Sequence, residues 1–174
     1  MNYYEIDSYN PLRPDFVIPD KFVPIRRLDP AEVLSPEAIL KFNLLGLNIR
    51  EVQMFTTPPN KITGIHIDSH DGNISKGAIN YVVGEGTMVW YQLKNTETTK
   101  LETPAGTSYM LYDIKNCTAI EKLCLKNLTL VRTNVPHNIL NISDNFRYCF
   151  SIRFTQNNFE DIFERLQSWT ASTN

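Results

Sequence analysis

The chain has 174 residues, of which 42% are hydrophobic and 21% charged, and a net charge of −2. A single domain of that length buries roughly two-thirds of its unfolded surface, and no run of Lys or Arg exceeds the pair Arg26-Arg27. The composition therefore argues against a nucleic-acid partner, and no stretch approaches the ~20 apolar residues of a membrane span.

The N-terminal "MNYYEIDSYNPLRPDF" has no apolar core of the signal-peptide kind. Cys117, Cys124 and Cys149 are odd in number, widely spaced and free of any CxxC pairing, which points to a reduced, cytoplasmic setting. In that setting the sequons at Asn127 and Asn141 carry no meaning. The first 28 or so residues, rich in Pro and aromatics, read as an extended arm on the surface. Asp29-Pro30-Ala31-Glu32 then offers a cap, a proline at the first helical position and an acid three residues after the cap. Ser35-Pro36-Glu37 offers a second helix start, with "AILKF" running on until Gly46 stops it.

From 48 to 155 the pattern becomes strand-like. "IREVQMFT", "KITGIHID", "GAINYVVG", "TMVWYQL", "SYMLYDI", "AIEKLCLK", "LTLVRTNV" and "FRYCFSIRF" are rich in β-branched and aromatic residues, and turn-forming segments divide them. Eight short strands at this spacing predict a mainly β sandwich or jelly roll rather than a parallel sheet. A C-terminal helix is predicted over 157–170: Asn157 caps it, and Phe159, Ile162, Phe163 and Leu166 fall on one face. The chain reads as a single domain, with an arm and helix over 1–47, a β core over 48–155 and the final helix buttressing it.

Two of the three histidines stand in "TGIHIDSHDG", residues 63–72. On a strand, His66 and Asp68 share a face and sit roughly 6.6 Å apart, so both can lean toward one ion. His137, in "RTNVPHNIL", supplies a second imidazole. Two imidazoles and one carboxylate on one side of a metal leave positions open, as in non-haem Fe(II) oxygenases. His70 is an alternative ligand, although His70 and Asp71 suit a loop better, because Gly72-Asn73 marks a turn.

Ten residues after His137 comes "RYCFSIRF". Alternation puts Tyr148, Phe150, Ile152 and Phe154 on a core face, and Arg147, Cys149, Ser151 and Arg153 on the other. An arginine inside a β roll is costly unless it meets an anion. Either a bound dicarboxylate, gripped by the two-pronged guanidinium, or protein acids at the rim would serve.

The order His-X-Asp, then His, then an Arg opening a strand resembles the Fe(II)/2-oxoglutarate-dependent dioxygenases, nearest their aspartyl/asparaginyl β-hydroxylase-like and prolyl-hydroxylase-like branches. The likeness is carried by "ITGIHID", "GAINYVVGEGTMVWYQL" and "VPHNILNISDNFRYCFSIRF" and spans about residues 50–155. It implies a double-stranded β-helix of the cupin-like jelly-roll kind. It also implies Fe(II) on His66, Asp68 and His137, and Arg147 on the distal carboxylate of 2-oxoglutarate. Arg147-(five residues)-Arg153 is similar also to the alkylated-nucleic-acid demethylases, in which the second arginine supports the other end of the cosubstrate and the metal site. Their tyrosine-bearing nucleotide-recognition stretch has no counterpart before His66. Asn80 sits where the β-hydroxylase-like enzymes place an inward polar residue; its neighbour Tyr81 is the other candidate. Of Trp90 and Tyr91, one packs the core and the other is placed toward the pocket mouth, with a structural role expected for each. Two departures bear on substrate: the interval from His66 to His137 is longer than in the β-hydroxylases, and those enzymes lack the acid that Asp68 supplies. The implied reaction is hydroxylation of a small-molecule or peptidyl substrate of unknown identity, with succinate and CO2 as coproducts. The rival readings are a cupin-like metalloenzyme without a keto acid and a non-catalytic jelly-roll module.

Overall fold

The computed structural model describes residues 1–7, 9–19, 22–70, 73–74, 76–95, 97–102, 108–156 and 158–171. The chain opens with strands β1 (Tyr3–Asp7) and β2 (Ile25–Leu28) and helices α1 (Pro30–Val33) and α2 (Pro36–Leu44). Strands β3 (Ile49–Thr57), β4 (Lys61–Ile62), β5 (Ile65–His70) and β6 (Asn73–Ile74) follow. Next come β7 (Gly77–Val83), β8 (Thr87–Leu93), β9 (Thr99–Glu102) and β10 (Ser108–Tyr112). After a 3-10 turn at Ile114–Asn116, β11 (Cys117–Cys124), β12 (Leu128–Arg132), β13 (His137–Asn141) and β14 (Arg147–Phe154) complete the strands. Helix α3 (Phe159–Ala171) is the last described element.

The strands form two antiparallel sheets, ordered β1-β12-β7-β14-β3-β2 and β11-β8-β13-β5-β10-β9. The chain crosses repeatedly from one to the other, as β7 to β8 and β12 to β13 to β14 show, and this alternation makes the protein a mainly β jelly roll of the double-stranded β-helix kind. Between the sheets lies an apolar cluster with Ala78, Val82, Val131 and Cys149 from the first sheet and Met88 and Trp90 from the second.

The outer face of the first sheet is covered by the helices. Phe150, Ile152 and Phe154 of β14 point outward and are buried with Phe42, Phe159, Ile162 and Leu166. The period-2 reading of 147–154 thus separates two buried faces, one apolar beneath the helices and one turned into the roll. Both helix starts form as their residues dictate: Asp29 accepts from the Ala31 backbone N–H at 2.9 Å and Ser35 Oγ from that of Ala38 at 3.1 Å. Gly46, at φ 69°, ends α2 in the left-handed region. The expected cap Asn157 lies outside the described residues.

The local pattern misread three features. The first 28 residues are not wholly an arm, because β1 pairs with β12 and β2 with β3, each closing one edge of the first sheet. "KITGIHID" is two strands, since the backbone leaves the ladder at Thr63-Gly64. Strand β9 has no counterpart among the eight expected strands; it is exposed along its length, so no apolar alternation announces it.

Candidate metal centre

His66 and His137 face each other directly across the β5–β13 pair, a position that puts Cβ atoms about 5 Å apart on one face of a sheet. The strand break at Thr63 fixes that alignment. The Thr63 backbone N–H donates to the Ile139 carbonyl at 2.9 Å, and its Oγ1 accepts from the Ile139 N–H at 2.9 Å. Further along β5, the Asp68 N–H donates to the Thr133 carbonyl at 3.1 Å. Two strands distant in sequence are thereby tied together at either side of the two imidazoles.

The ring centroids of His66 and His137 are 4.6 Å apart. Asp68 Oδ1 lies 3.3 Å from His66 Nε2 and 3.8 Å from His137 Nε2, and the three candidate ligand atoms all fall within 4.8 Å of one another. Two ligands at ~2.1 Å from a metal stand roughly 3.0–3.4 Å apart at right or tetrahedral angles. Closing the set on an ion therefore needs only small side-chain rotations.

Each imidazole is oriented by its own strand. His66 Nδ1 donates to the Gly64 carbonyl at 2.9 Å and His137 Nδ1 to the Val135 carbonyl at 2.8 Å. A carbonyl oxygen only accepts, so Nδ1 carries a proton in both rings and each Nε2, the atom available to a metal, faces Asp68. Asp68 is divided in the same way. Its Oδ2 accepts from Arg153 Nη2 at 2.7 Å, leaving Oδ1 for the space between the histidines.

The electrostatics favour the ligand-ready forms of Asp68 and His137 and the protonated form of His66. Burial alone would raise the Asp68 carboxyl, but the Arg153 charge, with His66 and His137, outweighs it and holds the group well below the usual carboxylate range. Burial, and then the neighbouring His66 charge, lower His137 to about 4, so that imidazole is neutral near pH 7. For His66, burial opposes the charged form, but the hydrogen bond and charge of Asp68 prevail and its pKa lies above the ordinary value. His137 is buried, while His66 and Asp68 are half-buried, so the centre opens to solvent past β5. His70 is the last residue of β5; its side chain, with Asp71 and Gly72, lies outside the described residues.

Arg147 and Arg153 both turn into the roll, yet their surroundings differ. Arg153 is 5% exposed and paired with Asp68. Arg147 is 1% exposed, and its Nε and Nη2 have no hydrogen-bond partner. Its stalk runs beneath the β7–β8 turn, where a Cβ on Gly86 would stand 2.5 Å from Arg147 Cδ. Only a glycine there admits the arginine. Asn80 is buried inside the roll opposite Ser151, whereas Tyr81 packs against the helix-covered core.

Trp90 and Tyr91 are structural. Trp90 is fully buried, stacks on Tyr3 at 5.8 Å and donates Nε1–H to the Arg132 carbonyl at 3.0 Å. The Tyr91 hydroxyl donates to Asn138 Oδ1 at 3.1 Å. Tyr109 did not stand out in the sequence. It lies opposite Asp68 on β10, its ring edge-on to that of His66 with the ring centroids 5.9 Å apart. Only the long-range β5–β10 pairing brings it there.

No protein-family model matches the chain, and no curated protein matches it. Among solved structures, it is similar to oxalate decarboxylase from Bacillus subtilis at 12% identity and a TM-score of 0.38, over 77% of this chain and 25% of that one. It is similar to a cupin domain from Bordetella pertussis at 16% identity and a TM-score of 0.32, over 63% and 91% of the two chains. A third is a Pseudomonas putida prolyl-4-hydroxylase, at 16% identity and a TM-score of 0.33, over 75% and 70%. The chain spans about a quarter of the oxalate decarboxylase. Likenesses this distant say nothing about chemistry; the jelly-roll architecture is evident from the two sheets themselves. Among the described residues, no helix is long and apolar enough to cross a membrane.

Proposed function

We propose that the chain is a non-haem Fe(II)- and 2-oxoglutarate-dependent oxygenase that hydroxylates a small-molecule or peptidyl substrate. His66, Asp68 and His137 would hold the iron, and Arg147 would receive the distal carboxylate of the keto acid. A bound Fe(II) with its keto acid supplies the oxidative chemistry, using O2 to yield succinate, CO2 and a hydroxylated substrate. The protein's own part is positional. The Gly64 and Val135 carbonyls fix the imidazole tautomers, and Arg153 holds Asp68 so that it presents one oxygen.

The observation that carries this reading is Arg147. A buried guanidinium with two unpartnered nitrogens is expensive to keep, and an anion bound inside the roll offsets that cost. A metalloenzyme using the same triad without a keto acid would leave Arg147 unexplained. The free thiols Cys117, Cys124 and Cys149 fit a reducing compartment, and we place the protein in the cytoplasm.

The test is product formation. Incubated with Fe(II), O2 and 2-oxoglutarate, the purified protein is expected to release succinate, with slow uncoupled turnover even without its substrate. Asp68→Ala is expected to release none. Absence of succinate from the wild type, or equal release from Asp68→Ala, overturns the proposal.

A further inference from the structure

Beyond β5 the second sheet continues through β10 to β9, its edge. Residues directly opposite in an antiparallel pair turn to the same face. Asp68 lies opposite Tyr109, and Tyr109 opposite Leu101. In the adjoining row His66 lies opposite Leu111, and Leu111 opposite Thr99. The metal-bearing face therefore runs outward into a strip of side chains from β10 and β9. Two contacts fix its inner end. The Tyr109 ring stands edge-on to His66, with ring centroids 5.9 Å apart. Gly64 leaves the room that Leu111 fills, since a Cβ there would stand 2.5 Å from Leu111 Cδ1.

Tyr109 and Leu111 are half-buried, and Leu101 is 37% exposed. The charged residues of β9, Lys100 and Glu102, alternate to the opposite face. Neighbouring strands lie about 4.8 Å apart, so Leu101 stands roughly 10 Å along its row from Asp68. An aromatic and an aliphatic side chain thus reach from the candidate metal ligands toward solvent, on the side where the centre opens.

We infer that Tyr109 and Leu101 select the substrate, seating an uncharged apolar group, a ring or a short hydrocarbon chain, attached to the carbon that reacts. The inference rests on the oxygenase reading and narrows its substrate class. A charged group on this strip would lose part of its hydration and meet no partner among the β9 and β10 side chains that line it. An apolar group gains by covering Tyr109 and Leu101. Tyr109 acts here through its ring, so phenylalanine should replace it.

The probes are the α-amides of N-acetylleucine, N-acetylphenylalanine, N-acetylglutamate and N-acetyllysine, titrated into the full-length protein and followed by saturation-transfer NMR. Saturable binding is expected for the first two and none for the charged pair. Tyr109→Ala and Leu101→Ser are each expected to weaken it about tenfold, the worth of roughly 60 Å² of apolar contact. Tyr109→Phe is expected to bind as the wild type does, which a general loss of structure would not allow. No binding of the apolar probes, equal binding of the charged ones, or wild-type affinity in both Tyr109→Ala and Leu101→Ser overturns the inference. Succinate release by the wild type with Fe(II), O2 and 2-oxoglutarate is scored separately: release without selective apolar binding removes the strip and leaves the oxygenase standing. Apolar binding without release removes the oxygenase and, with it, the strip's role in selecting a substrate.

Discussion

Replacing Arg147 by methionine is expected to stabilise the protein while removing a function. The guanidinium is 1% exposed and leaves Nε and Nη2 unpartnered, and each buried unsatisfied group costs about 1–3 kcal/mol. Methionine approximates the volume of the arginine stalk, and exchanging even paired buried ions for apolar side chains of similar size ranges from neutral to stabilising by about 1–4 kcal/mol. A gain of about 2 kcal/mol raises the midpoint of a chain this size by roughly 4–8 °C. The assay is thermal and urea unfolding of the metal-free protein in a buffer without carboxylates, so that none pairs with the guanidinium. Arg147→Met at or below wild-type stability would refute the claim that this arginine is held at a cost in anticipation of a ligand.

Asp68→Ala removes the carboxylate that Arg153 Nη2 meets at 2.7 Å, and the broken buried pair is expected to cost about 3 kcal/mol of stability even without metal. Urea unfolding beside His137→Ala, which leaves that pair intact, checks it. Acid acts through His137. Its folded pKa of about 4 lies below the unfolded value of about 6.5, so the unfolded chain binds more protons between the two. Stability present above pH 6.5 is therefore lost as pH falls toward 4, by an amount on the order of 3 kcal/mol. His66 shifts the other way and offsets part of this. Unfolding of metal-free wild type across that window should slope more steeply than that of His137→Gln. Gly86→Ala places a Cβ 2.5 Å from Arg147 Cδ and 3.3 Å from the Leu140 carbonyl. It is expected to lose dicarboxylate binding while keeping metal binding, read by paired titrations.

Much of this was legible locally. Period-2 alternation in "RYCFSIRF" assigned Phe150, Ile152 and Phe154 to one buried face and both arginines to the other, because a strand has only two faces. The caps at Asp29 and Ser35 were legible for the same reason: they depend on residues within three positions. The Arg153–Asp68 pair spans 85 positions, and the facing of Tyr109 and Asp68 depends on which strands become neighbours. Neither is encoded in any short window. The edge strand β1 was hidden too, since pairing with β12, rather than a hydrophobic pattern of its own, makes it a strand.

The central claim is that one roll holds both a metal triad and a waiting guanidinium. Anaerobic addition of Fe(II) and then 2-oxoglutarate tests it most directly, through the weak visible charge-transfer band of the iron–keto acid chelate. The band is expected in the wild type. His137→Ala should lose it together with the iron, and Arg147→Ala should lose it at limiting 2-oxoglutarate while iron stays bound. No band in wild-type protein that has bound Fe(II), or iron lost from Arg147→Ala and kept by His137→Ala, would contradict the account.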